Sequence, residues 1–161
     1  MIYMWYTKSL YFRFSILFKH LGFQSGDCLY TLTGDSSYIF VASVAAWWLG
    51  GYVALGVPLD AKNIASQINE CRPKIVLVDS VQGEGLMDAM RLSTFATFNS
   101  RILSIGHVNK SCHNVFNLIK NINIDRVPEI TQPMSQLLVH WSKGEESSLN
   151  IILSRYGLKG E

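Results

Sequence analysis

Charge is scarce in this chain. Only 16% of its 161 residues are charged, and Lys and Arg (14) barely outnumber Asp and Glu (12). So little self-repulsion excludes a disordered, charge-expanded chain. A formal net charge of +2, with no stripe of Lys and Arg, leaves no electrostatic footprint for a nucleic acid. Cysteine is also scarce: Cys28, Cys71 and Cys112 are an odd count, without CxxC or Cys/His ligand spacing. That excludes a disulfide framework and a zinc ribbon, and it fits reduced structural thiols in an intracellular protein. Cys112 and His113 are neighbours in sequence, which places neither a metal site nor a nucleophile–base pair. No small-residue cleavage site follows the apolar N-terminus, Met1–Phe18, and Lys8 and Arg13 interrupt it, so it does not read as a secretory signal.

What is present is apolar side chain. A hydrophobic content of 48% supplies a real core, and the length suits one domain or a piece of a larger one. The segment Tyr38–Leu59 carries no charge and is long enough on paper to cross a bilayer. Gly50-Gly51, Gly56 and Pro58 would break a spanning helix in its second half, so a buried helix followed by a buried strand is expected instead.

Periodicity divides the chain into alternating elements. Leu10, Phe14, Leu17 and Leu21 recur at helical steps, which predicts a helix over Ser9–Leu21, with Gly22 as its C′ residue. Cys28–Thr33 reads as a strand. The apolar run Ser37–Leu49 reads as a helix buried on most sides, with N-cap candidates in Gly34-Asp35-Ser36-Ser37. Tyr52–Val57 is a strand, Ala61–Cys71 a helix capped by Asp60, and Lys74–Asp79 a fully buried strand. Beyond Asp79 the pattern predicts a helix over Gly85–Phe98, a strand over Ile102–Ile105, helical spacing at Val115, Leu118, Ile119 and Ile122, a loop over Pro128–Ser135 and a strand over Leu137–Trp141. The fold class is α/β, a mainly parallel sheet with helices on both faces.

Residues that could carry chemistry are few. Trp47 and Trp48 are adjacent on one helix and point about 100° apart, so at most one could face a pocket, and core packing is expected. His107 and His113 have no nucleophile or carboxylate partner set by spacing. Asp35 and Asp60 read as helix caps, and Glu145-Glu146 as a solvated pair.

One resemblance emerges from the order of these pieces. His20-Leu21-Gly22-Phe23 followed by Gly26-Asp27, the turn Thr33-Gly34-Asp35-Ser36, the helix closed by Leu49-Gly50-Gly51, and the strand end Val57-Pro58-Leu59 follow one another as in the AMP-forming acyl-CoA synthetases. The chain resembles this adenylate-forming superfamily, closest to its acyl-CoA synthetase, coumarate–CoA ligase and luciferase branch. The resemblance covers residues 8–80, thins over 81–135 and returns at 136–144. It implies an N-terminal subdomain over 1–144 and a tail unlike the family over 145–161. It also implies a reaction for full-length members, ATP-dependent adenylation of a carboxylic acid and then thioester formation with CoA, with ATP, Mg²⁺ and CoA as cofactors and an intracellular setting, cytoplasmic or peroxisomal.

Similar enzymes hold the triphosphate on a loop rich in serine, threonine and glycine, where small residues admit backbone N–H groups and a lysine offsets charge. Here Leu137-Leu138-Val139-His140-Trp141-Ser142 leads into that loop, and then Lys143-Gly144-Glu145-Glu146-Ser147 departs from it. Only Ser142 and Gly144 match, as a remnant of the phosphate loop. The two glutamates would repel a triphosphate, strongly if desolvated and weakly in water. Gly157-Leu158-Lys159-Gly160 echoes the loop's end without its proline. No catalytic residue and no metal ligand is assigned, and no cofactor is expected for these residues alone. The expectation is a truncated ligase domain without activity of its own, a fragment or aberrant product, able to self-associate through an exposed sheet edge. The alternatives are a non-catalytic α/β interaction module and a small membrane-associated protein.

Overall fold

The computed structural model describes residues 2–95, 100–106, 108, 112–120, 122, 138–140 and 150–152, with backbone alone for 2–9, 138–140 and 150–152. In chain order the elements are α1 (Ile2–His20), β1 (Cys28–Leu32), α2 (Ser36–Trp48), β2 (Tyr52–Leu55), α3 (Ala61–Cys71), β3 (Ile75–Asp79), α4 (Gly83–Leu92), β4 (Arg101–Ile105), β5 (His113–Asn114), α5 (Val115–Ile119), β6 (Leu138–His140) and β7 (Asn150–Ile152).

Local chemistry sets most of these boundaries. Helix α1 ends in a Schellman motif. Gly22, at φ 80°, turns the chain, its N–H donates to the Lys19 carbonyl at 3.0 Å, and the Phe23 N–H donates to Phe18 at 2.9 Å. Helix α2 ends the same way at Gly50, φ 75°, with Gly50 donating to Trp47 and Gly51 to Ala46, both at 2.9 Å. Asp35 caps α2 by accepting from Ser37 N–H at 2.9 Å, and Asp60 caps α3 by accepting from Asn63 N–H at 3.0 Å. Both aspartates are therefore the caps their positions predict.

The sheet order is β5-β4-β3-β1-β2-β6-β7, parallel throughout except for β7, which runs antiparallel to β6. All five strands expected from the sequence lie side by side in its parallel centre. Their side chains alternate between two layers. Leu29, Val53, Ile75, Leu77 and Leu103 meet α1, α2 and α5 on one face, together with Phe14, Phe18, Ala42, Ala46 and Val115. Tyr30, Leu32, Ala54, Val76 and Val78 meet α3 and α4 on the other, together with Ile64, Ile68, Leu86 and Ala89. Each fully buried Leu, Ile, Val or Phe contributes about 1.5–3 kcal/mol relative to leaving it in water. The mainly parallel sheet with helices on both faces is thus observed.

The differences from expectation have physical causes. Helix α4 stops at Leu92 rather than Phe98 because the Asn69 carboxamide oxygen on α3 accepts from the Ser93 hydroxyl at 2.7 Å and the Thr94 N–H at 3.1 Å, pulling the chain out of the helix. It starts at Gly83 rather than Gly85 because the Asp79 carboxylate takes the Val81 and Gln82 N–H groups and shapes the entry turn. Strands β5 and β7 are too short to register as periodic runs. Helix α2 is less enclosed than its composition suggests: Val41, Ala42, Ser43, Ala45 and Ala46 are buried, but Phe40 is 59% exposed. Among the described residues, no helix is long and apolar enough to cross a membrane. The expected loop over Pro128–Ser135 lies outside the described residues.

Candidate functional site

In an open parallel sheet, ligands gather outside the carboxyl ends of the strands, where neighbouring strands send their connections to opposite faces. That point lies between β1 and β3. Strand β1 leads into α2 on one face, and β3 leads into α4 on the other. The crevice is made by the loop Thr33-Gly34-Asp35 after β1 and the turn Ser80-Val81-Gln82 after β3.

A side chain of the protein already fills it. One oxygen of Asp79 accepts from Gly34 N–H at 2.9 Å, and the other accepts from Val81 N–H at 3.0 Å and Gln82 N–H at 2.9 Å. Partial burial pushes this carboxyl up, but the donors from Gly34, Gln82, the Thr33 hydroxyl and Val81 outweigh it and hold the group below the usual carboxylate range. Such an arc of N–H groups is what binds a phosphate elsewhere. Here it binds an internal carboxylate, which ties β1 to β3. Asp79→Ala should cost about 1–2 kcal/mol, a modest sum because water reaches the freed donors. The lowered value means this stabilisation is present above the unfolded pKa of about 3.9 and is lost as pH falls through the folded value. Urea melts of both proteins should therefore differ by a constant amount above about pH 5 and converge in more acidic solution; parallel curves down to the acid limit would contradict the assignment.

Next to the crevice, the Tyr30 hydroxyl donates to Gln67 Oε1 at 2.9 Å, and that oxygen also accepts from Val57 N–H at 3.2 Å. Burial, then the nearby Cys71 and Cys28 thiols, push the Tyr30 phenol far up, so it stays a neutral donor. This cluster holds the Gly56-Val57-Pro58 segment against α3. On the opposite face, Thr31 Oγ1 is buried with no hydrogen-bond partner among the described residues. It lies level with Leu55 of β2 and, through it, with His140 of β6.

Three of the four helix starts along this edge are taken by carboxylates, Asp35 on α2, Asp60 on α3 and Asp79 before α4, and the fourth, on the short α5, by the Asn114 carboxamide. At the α2, α3 and α4 starts the edge therefore does not fit a triphosphate. Ser142 and Gly144, the matches to a phosphate loop, lie outside the described residues, as do Glu145, Glu146 and His107. Strand β6 does place the start of that segment beside β2, at the same carboxyl edge. His113 is exposed on β5, and no nucleophile is paired with it among the described residues. Trp48 packs edge-on against Phe12, ring centres 5.5 Å apart, and Trp47 joins the α1/α2 layer, so both serve packing as expected. No group of His, Cys, Asp and Glu able to hold a metal occurs among the described residues. Sequence reasoning missed Asp79 as the organiser of the crevice. Its position at a strand end before Ser-Val-Gln-Gly was the available signal, read only as the end of a buried strand.

No family model matches the sequence, and no curated protein does. Solved structures do. An anthranilate CoA ligase, AuaEII, in complex with anthranoyl-AMP is 17% identical, with a TM-score of 0.73 over 86% of this chain and 26% of that one. A luciferase-like enzyme from the nonluminescent mealworm Zophobas morio is also 17% identical, with a TM-score of 0.73 over 86% of this chain and 32% of that one. The N-terminal domain of FACL13 from Mycobacterium tuberculosis is 16% identical, with a TM-score of 0.71 over 89% and 34%. The chain spans 26% to 34% of the length of these three structures. In fold, the described residues correspond to the N-terminal part of the adenylate-forming enzymes.

Proposed function

We propose that this chain is the N-terminal scaffold of an AMP-forming acid–CoA ligase and does not perform adenylation by itself. One observation carries this reading. The motif order from Leu21-Gly22 to Val57-Pro58-Leu59 falls on the turns and strand ends of a sheet that has the ligase fold. The proposed scaffold covers residues 1–144, and residues 145–161 depart from the family pattern. The lost activity rests on Glu145-Glu146 standing where hydroxyl residues hold phosphates in similar enzymes, and on the carboxylates that fill the α2, α3 and α4 starts. Small carboxylic acids, ATP, Mg²⁺ and CoA belong to the full-length relatives on this reading, and the setting is intracellular, cytoplasmic or peroxisomal.

ATP–pyrophosphate exchange with a panel of fatty and aromatic acids should give no label above the enzyme-free blank. Clear exchange by the purified chain would sink the proposed loss of activity.

The filled crevice favours a second reading, a non-catalytic α/β module that kept the sheet without the site. Thermal melts with ATP, AMP and CoA separate the two. A small rise with any of them supports the ligand-binding scaffold, and three flat results support the module.

A further inference from the structure

We propose that Cys112 and Met87 form a binding site for a soft monovalent cation of the Cu(I) type, held between a thiolate and a thioether. Met87 lies in the middle of α4, and Cys112 immediately precedes the edge strand β5. The cysteine Sγ donates to the methionine Sδ at 4.0 Å, and both residues are half-buried. The chain comes close to α4 here because Gly83 has no Cβ: one would run into the Val108 side chain of the β4–β5 connection. Cys28 and Cys71, by contrast, are buried. The pair also differs in kind from the groups of His, Cys, Asp and Glu that hold harder metals, because a thioether selects soft ions.

Two sulfurs 4.0 Å apart suit a metal between them. With bonds of about 2.3 Å, the length a thiolate makes to zinc, the angle at the metal is about 120°. That angle suits a three-coordinate ion with one position left for a solvent ligand. The thiol already donates along the line between the sulfurs, and the metal takes the place of its hydrogen. The S–H bond breaks, the proton leaves to solvent, and bonds form from the metal to both sulfurs, with no change of oxidation state. Binding therefore releases a proton and tightens as pH rises. Solvent reaches Met87 along a groove of about 280 Å³ lined by Gly83, Glu84, Met87, Asp88, Arg91 and Val108. Its carboxylates, Glu84 and Asp88, favour a cation, and Arg91 pairs with Asp88 at 3.0 Å.

The test is anaerobic titration of the native chain with Cu(I) against a competing chelator, read by native mass spectrometry and by NMR of isotope-labelled methionine methyl groups. The chain should bind a single Cu(I), and of its five methionines only Met87 should shift its methyl resonance. Met87→Leu, which conserves volume, should weaken binding by at least about 10-fold, the loss that even an outer-shell partner causes. Met90→Leu should leave the affinity unchanged, and Cys112→Ser should abolish binding. No binding by the native chain, equal affinity in the native chain and Met87→Leu, or binding that survives Cys112→Ser would each overturn the proposal.

Discussion

Phe18→Ala is expected to lower the stability of the chain by about 3–5 kcal/mol. Phe18 has no solvent exposure and packs against Phe14 at 5.8 Å and Phe23 at 5.6 Å between ring centres. The three rings fill the space between α1 and the sheet face that carries Leu29, Ile75 and Leu77. Truncation removes the ring's burial and leaves a hole that α1 cannot close, because the Schellman turn anchors its end through the Phe23 N–H to the Phe18 carbonyl. That turn also needs the Phe18–Phe23 contact as its hydrophobic clasp, so the two losses couple. A urea melt reads the effect directly. A cost below about 1 kcal/mol would mean that α1 is not docked as described.

The second large effect is expected at Gly51. A Cβ there would run into the Phe23 ring and stand 2.7 Å from the Asp27 carbonyl oxygen. The ring could turn, but the carbonyl cannot, because it accepts from Tyr52 N–H at 3.0 Å in the ladder that sets the β1/β2 register. Gly51→Ala should therefore cost about 2–3 kcal/mol through overpacking and a distorted ladder. Gly85→Ala is the matched control. Nothing lies within 4 Å of its added Cβ, and the position is helical, so a gain of about 0.5–1 kcal/mol is expected. Equal costs at the two sites would show that crowding is not the cause at Gly51.

These two variants fall in the stretch that is most legible in the sequence. Leu10, Phe14, Leu17 and Leu21 announce α1, Gly22 its end, Asp35 and Asp60 the next two helix starts, and Ile-Val-Leu-Val after Lys74 a buried strand. Each of these signals is local: a cap, a turn glycine, a period. The signals fade where ends are decided at long range. Phe98 would extend α4 on propensity alone, but Asn69, far earlier in the chain, takes the donors that open the helix. The candidate site divides in the same way. Its position at the strand ends follows from alternating strands and helices, while its filling by Asp79 depends on Gly34, which lies on a different strand end.

By itself, the sequence determined the alternation of elements, their burial and the resemblance to adenylate-forming enzymes, because these depend on residues within a few turns of one another. Only the tertiary structure decided the strand order, the carboxylate that closes the β1/β3 crevice, and the meeting of Tyr30 with Gln67. Those contacts join residues whose separation along the chain carries no local signal. They form only when apolar burial on both sheet faces brings distant segments together and leaves their polar groups to find partners.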